Sequence, residues 1–131
     1  MFKFFISSDA TPDQSERFVR LNAHVPDLVR SVGVDEHTLD AQAMRQMNLI
    51  SAECLFSHAA FAQALSHVAL WGHVAQHQTA AHVFESNAVL SANFETESTP
   101  ILARLPPDWD FVLSGNTPAP TPPFDVLPKL A

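Results

Sequence analysis

The sequence predicts an α+β fold: a ferredoxin-like βαββαβ protomer carrying a Pro-rich C-terminal arm. Three observations lead there. Short alternating runs read as strands, two amphipathic stripes read as helices, and their order along the chain is strand, helix, strand, strand, helix, strand. The prolines then mark where that pattern ends, because eight of the ten stand from Pro100 onward.

Residues 2–7 read as the first strand, with Phe2, Phe4 and Ile6 on one face and Lys3 and Phe5 on the other. The loop Ser8-Asp9-Ala10 leads to Thr11 as N-cap and Pro12 in the first helical turn. Phe18, Leu21, Val25 and Leu28 then recur at helical spacing, with Glu16, Arg17 and Arg20 outside. Pro26 lacks a backbone N–H and restricts Val25, so the first helix should break near His24. Leu39, Ala41 and Ala43 alternate with polar neighbours over residues 34–44, which suits a second strand and leaves a helix open. Ile50, Ala52, Cys54 and Phe56 give a third strand. Ser57 is an N-cap for the stripe Phe61, Ala64, Leu65 and Val68, which Trp71-Gly72 would interrupt before a short helix over residues 73–82. Ala88, Leu90, Ala92 and Phe94 place the fourth strand near residues 86–94.

This order predicts an antiparallel sheet with both helices on one face. Phe5, Leu55 and Val89 would then line an open face, and a second copy of the chain is the expected cover, making a homodimer. Residues 1–99 form the expected domain and residues 100–131 the arm, anchored by Trp109 and Phe111.

Composition narrows the functions. The apolar fraction of 47% and mean hydropathy of +0.04 fit one packed domain. A formal net charge of −7 argues against nucleic acid and anionic membranes as partners. No apolar run approaches a membrane span, and the start is too short in apolar residues for a signal peptide, so a cytoplasmic location is the expectation. The single Cys54 allows no internal disulfide, and three glycines leave no Gly-rich phosphate loop.

Seven histidines are many for 131 residues. His24, at a helix end where carbonyls and the helix dipole favour its charged form, is the candidate proton carrier, with Asp27 to orient it. Capping the helix before Pro26 is the competing role for His24, and an ion pair with Arg30 the competing role for Asp27. His73 and His77 share a helix face at i, i+4, the spacing two metal ligands need, but no third ligand stands at a matching distance. Cys54, Phe61 and Trp71 read most simply as core.

The run His24-Val25-Pro26-Asp27-Leu28, followed by Gly33, resembles the EthD-like group of the dimeric α+β barrel superfamily, over residues 2–44. The second half is similar in outline, from Phe56 through Phe61, Ala64 and Leu65. The chain departs from that group at Val19 and Val32, where relatives carry an aromatic and a proline. The resemblance implies a dimer with one small apolar pocket per protomer, into which His24 points, and a small hydrophobic or aromatic metabolite as ligand. Phe4, Leu21, Phe61 and Trp71 are its candidate lining. Cofactor-free acid/base chemistry of isomerase, cyclase, dehydratase or monooxygenase type is the implied activity, with no cofactor and no metal. Two alternatives stand beside it: a haem or metal binder using His73 or His77, and a non-catalytic dimeric module whose arm contacts a partner protein.

Overall fold

A computed structural model describes residues 1–114; the remainder of the arm, Phe124 included, lies outside the described residues. Strand β1 (Phe2–Ser7) is followed by helix α1 (Pro12–Leu21) and strand β2 (Leu28–Val32). A 3₁₀ turn at Glu36–Thr38 and helix α2 (Ala41–Gln46) lead to the long helix α3 (His58–His77), strand β3 (Ala81–Glu85) and helix α4 (Phe94–Leu102). Mixed α and β content is as the sequence predicts.

The sheet is not. Among the described residues it has three strands in the order β2-β1-β3, all parallel, with Phe4 level with Val29 on one side and Val83 on the other. The antiparallel βαββαβ arrangement is therefore replaced by two parallel crossovers. Residues 34–44 form the 3₁₀ turn and α2 rather than a strand, because Asp40 caps α2 by accepting from the amides of Gln42 and Ala43. Residues 50–56 form no strand: only Ile50 and Cys54 are partly covered and Leu55 is 95% exposed, so the alternating side chains meet no apolar layer. The strand expected near residues 86–94 lies instead at Ala81–Glu85, after α3 has ended with Gln78 in the left-handed conformation (φ 50°). Gly72 does not interrupt α3, which runs unbroken for 20 residues.

Alternation along β1 dictates the two layers. Phe5 stacks on Phe18 of α1 at 4.5 Å between ring centroids, and Phe18 lies 6.4 Å from Phe84 of β3. On the opposite face, Phe2 and Phe4 pack edge-on against His73 of α3, at 5.2 and 5.3 Å. One helix thus covers each face, a doubly wound arrangement. Phe5, expected to meet a second protomer, is buried in its own core because α1 fills that face. Leu55 and Val89 stand outside the strands and are exposed.

The end of α1 is fixed by a residue that the hydrophobic pattern does not reveal. Asn22 is fully buried; its side-chain amide donates to the carbonyls of Phe18 and Ala88, and its Oδ1 accepts the Leu90 N–H at 2.8 Å. This ties α1 to the segment after β3. The expected boundary between residues 99 and 100 falls inside α4, which contains Pro100. Of the arm's expected anchors, Trp109 is half-buried and Phe111 is mostly exposed, its ring 6.2 Å from that of Trp71.

Asn22→Ala takes the partner from the Ala88 carbonyl and the Leu90 N–H, while the Phe18 carbonyl keeps the backbone N–H of position 22, and each buried unpaired group costs about 1–3 kcal/mol. A loss of roughly 3 kcal/mol in urea unfolding is the expected outcome. A loss below about 1 kcal/mol would mean that water enters and replaces the amide.

Candidate functional site

In an open parallel sheet the crossovers leave to opposite faces at one point, and a crevice opens beyond the carboxyl ends of the strands there. Here β1 leads to α1 on one face, while its neighbour β2 leads through α2 to α3 on the other, so the connections diverge at the carboxyl ends of β1 and β2. A cleft of about 590 Å³ occupies this place. Its walls are Ser7, Ser8 and Thr11 after β1, Gln14 and Arg17 of α1, Gly33 to His37 after β2, one side of α3, and Glu85, Ser86 and Asn87 after β3.

Each wall is held by a specific contact. Arg30 of β2 donates through Nε to the Ser7 hydroxyl at 3.1 Å and through Nη2 to Asp9 at 2.6 Å, fixing the turn out of β1. Arg30 is therefore spent on Asp9, and the expected pair with Asp27 does not form. Asp27 instead takes a left-handed backbone (φ 60°) at the entry to β2. Ser66 of α3 is buried; its hydroxyl donates to the Ala62 carbonyl and accepts the Val34 N–H at 2.9 Å. Gly33 permits this approach, since a Cβ there would meet Ile6 Cγ2 at 3.2 Å and Ser66 Oγ at 3.5 Å. Ser86 donates to Gln14 at 3.1 Å, closing the β3 side against α1.

The cleft is mixed in polarity, with Ile6, Val34, Ala59 and Ala62 among its lining, and its charge balance is acidic. Three carboxylates, Asp35, Glu36 and Glu85, stand against one guanidinium, Arg17, among the described residues. Glu85 accepts a hydrogen bond from the Gln63 amide, and His67 Nε2 lies 3.9 Å from the same oxygen. Asp35 accepts the His37 N–H through Oδ1 at 3.0 Å. These groups can accept from hydroxyls and amines and can pass a proton between carboxylate and imidazole.

The residues expected to form a pocket are not gathered into one. His24 lies outside the cleft, with Nε2 2.9 Å from the Ser91 carbonyl, which gives it a structural bond next to the Asn22 tie. Phe4 and Phe61 are buried, whereas Leu21 on α1 and Trp71 on α3 are exposed on helices that cover opposite faces of the sheet. None of the six lines the cleft. His73 and His77 do share a face, with ring centroids 4.1 Å apart, but both rings lie on Phe2 and His77 Nδ1 is bonded to the His73 carbonyl. No group of three metal-ligating side chains is present among the described residues.

Asp35, Gln63, His67 and Glu85 were hidden in the sequence because their common position depends on where β2 and β3 end. A signal existed at Val34-Asp35: an acidic residue just past the second strand of a parallel unit sits where ribose hydroxyls are bound in doubly wound folds. It becomes legible once β2 is placed at Leu28–Val32.

Comparison with known proteins finds no matching family model, no matching curated relative and no matching solved structure.

His24→Ala is expected to remove one exposed hydrogen bond, lowering stability by about 1 kcal/mol in chemical denaturation. Ligand binding in the cleft should be unchanged. Equal loss of binding in this variant and in cleft variants would place His24 in the working site.

Proposed function

We propose that the chain binds a small hydroxylated metabolite, a nucleoside or a sugar, in the crevice at the carboxyl ends of its three parallel strands. The observation that carries this reading is the coincidence of the cleft with the topological switch point, flanked by Asp35 after β2 and Glu85 after β3. The two outer strands stand two spacings apart, roughly 10 Å, so a ligand touching both carboxylates is about the length of a nucleoside or a disaccharide. The acidic balance disfavours a bare anion; the serines, amides and carboxylates of the lining suit hydroxyls, and Ile6, Val34, Ala59 and Ala62 offer an apolar surface to a ring face. This moves the ligand away from the hydrophobic metabolite and the His24 pocket implied by the EthD-like resemblance. Acid/base chemistry remains part of the proposal, with Glu85 as the proton acceptor and Gln63 and His67 holding it in place.

The homodimer is kept as a proposal on a separate observation. Met47, Leu49, Leu55 and Phe56, all on the connection between α2 and α3, are exposed and apolar. Sedimentation at rising concentration checks it, and a monomer throughout removes it.

The binding test is calorimetry with a panel of nucleosides, monosaccharides and disaccharides. Glu85→Gln and Asp35→Asn keep the Gln63 contact and the cap on the His37 amide, yet remove a charged acceptor. Each should weaken binding about tenfold or more, the worth of one hydrogen bond to a charged group. Binding of no member of the panel, or equal affinity in both variants, would sink the proposal.

A further inference from the structure

Helix α4 is fastened to the sheet by two side chains. The Phe94 ring packs edge-on against His82 at 5.0 Å and against Phe84 at 5.4 Å, and Glu95 forms an ion pair with Lys3. His82 lies at the centre of this attachment, half-buried on β3 and level with Lys3 of β1. The charged groups facing its ring are the Lys3 ammonium and the Met1 amino group from the β1 side, and the Glu95 carboxylate from α4. Phe84 and Phe94, the ring's aromatic neighbours, offer an imidazolium no hydrogen-bond acceptor.

We propose that α4 is a flap released by protonation of His82. An imidazolium in this place is half withdrawn from water, with Phe94 against its ring, and stands beside a second cation. Lifting α4 hydrates the ring at the cost of two ring contacts, one ion pair and the Ser91–Glu97 hydrogen bond, less than opening the Phe5–Phe18–Phe84 core. Burial first, and Lys3 second, hold the His82 pKa below its ordinary 6.5, while Glu95 pulls the other way without reversing the direction. The closed form therefore binds the proton more weakly than the open form. Above about pH 6.5 the ring is neutral in both and α4 stays closed; as pH falls below 6.5 the open form gains the proton first and grows.

The opening has a natural limit. Asn22 holds the Ala88 carbonyl and the Leu90 N–H to the end of α1, so the segment before α4 stays in place when the helix lifts. The released surface is aromatic, presenting Phe84 and Phe94.

Amide hydrogen exchange on the whole chain tests this, read between about pH 7.5 and about pH 5.5 after correction for the intrinsic pH dependence of exchange. Protection of residues 94–102 should fall several-fold, at most about tenfold per pH unit, while the Leu90 amide keeps its protection. In His82→Gln the pH response of α4 should vanish. Unchanged α4 protection, simultaneous loss at Leu90 and throughout β1, or an undiminished response in His82→Gln would each overturn the proposal. Should that variant fail to fold, the wild-type ring signal decides. The exchange midpoint of α4 must follow the His82 titration measured by NMR, and a mismatch overturns the proposal.

Discussion

Phe18 has no exposed surface, and the sheet takes its shape around it. Its ring lies on Phe5 from the middle strand and reaches Phe84 from the edge strand, so one side chain of α1 grips two strands at once. Removing a buried aromatic of this kind costs about 3–5 kcal/mol, a large share of the stability of a small domain. The grip also decides topology. With α1 laid over Phe5, the chain must return parallel to β1, and the next crossover is left the face carrying Phe2 and Phe4. The order β2-β1-β3 follows, and with it the point where α1 and α3 diverge.

The cleft is the by-product of that divergence. Nothing in the core makes it polar; its character comes from the residues that end each strand. Ser7, Asp35 and Glu85 all stand where a strand stops contributing to the core and turns toward solvent. The supporting contacts come from β2 and α3 rather than from the cleft's own loops. Arg30 fixes the turn after β1, Ser66 fixes the turn after β2, and Gln63 holds Glu85. A site braced by regular elements in this way is preorganised, which spares a ligand the entropy of ordering the walls.

Part of this was legible in the sequence. Strand β1, helix α1 and the start of α3 at Ser57 follow from alternation, stripe and cap, and they appear where those signals put them. The remaining strands did not, for a physical reason. Leu28-Val29-Arg30-Ser31-Val32 is an edge strand without strict apolar-polar alternation, its Val29 and Val32 exposed. Leu28–Val32 and Ala81–Glu85 are five residues each; Leu28 reads as the last member of the first helical stripe, and residues 81 and 82 as the end of a short helix. Meanwhile residues 50–56 alternate well but stand largely exposed, so their pattern has no apolar layer to bury it. The position of β2 also moves the candidate site. A helix breaking near His24 puts that histidine at the mouth of the expected pocket, whereas a strand beginning at Leu28 brings Asp35 to the wall of the cleft.

The stretch around His24 still matters, in a structural sense. Asn22 and His24 both bond to the backbone between Ala88 and Ser91, one deep in the protein and one at its surface. That connection begins at Ser86 and Asn87 in the cleft wall and ends at α4. It is not the one link between them: His82 and Glu85 share β3, and Lys3 and Ser7 share β1, so the sheet itself joins the attachment of α4 to the cleft wall. What the buried asparagine adds is a fixed position for the chain leaving β3, which sets where α4 begins relative to the core.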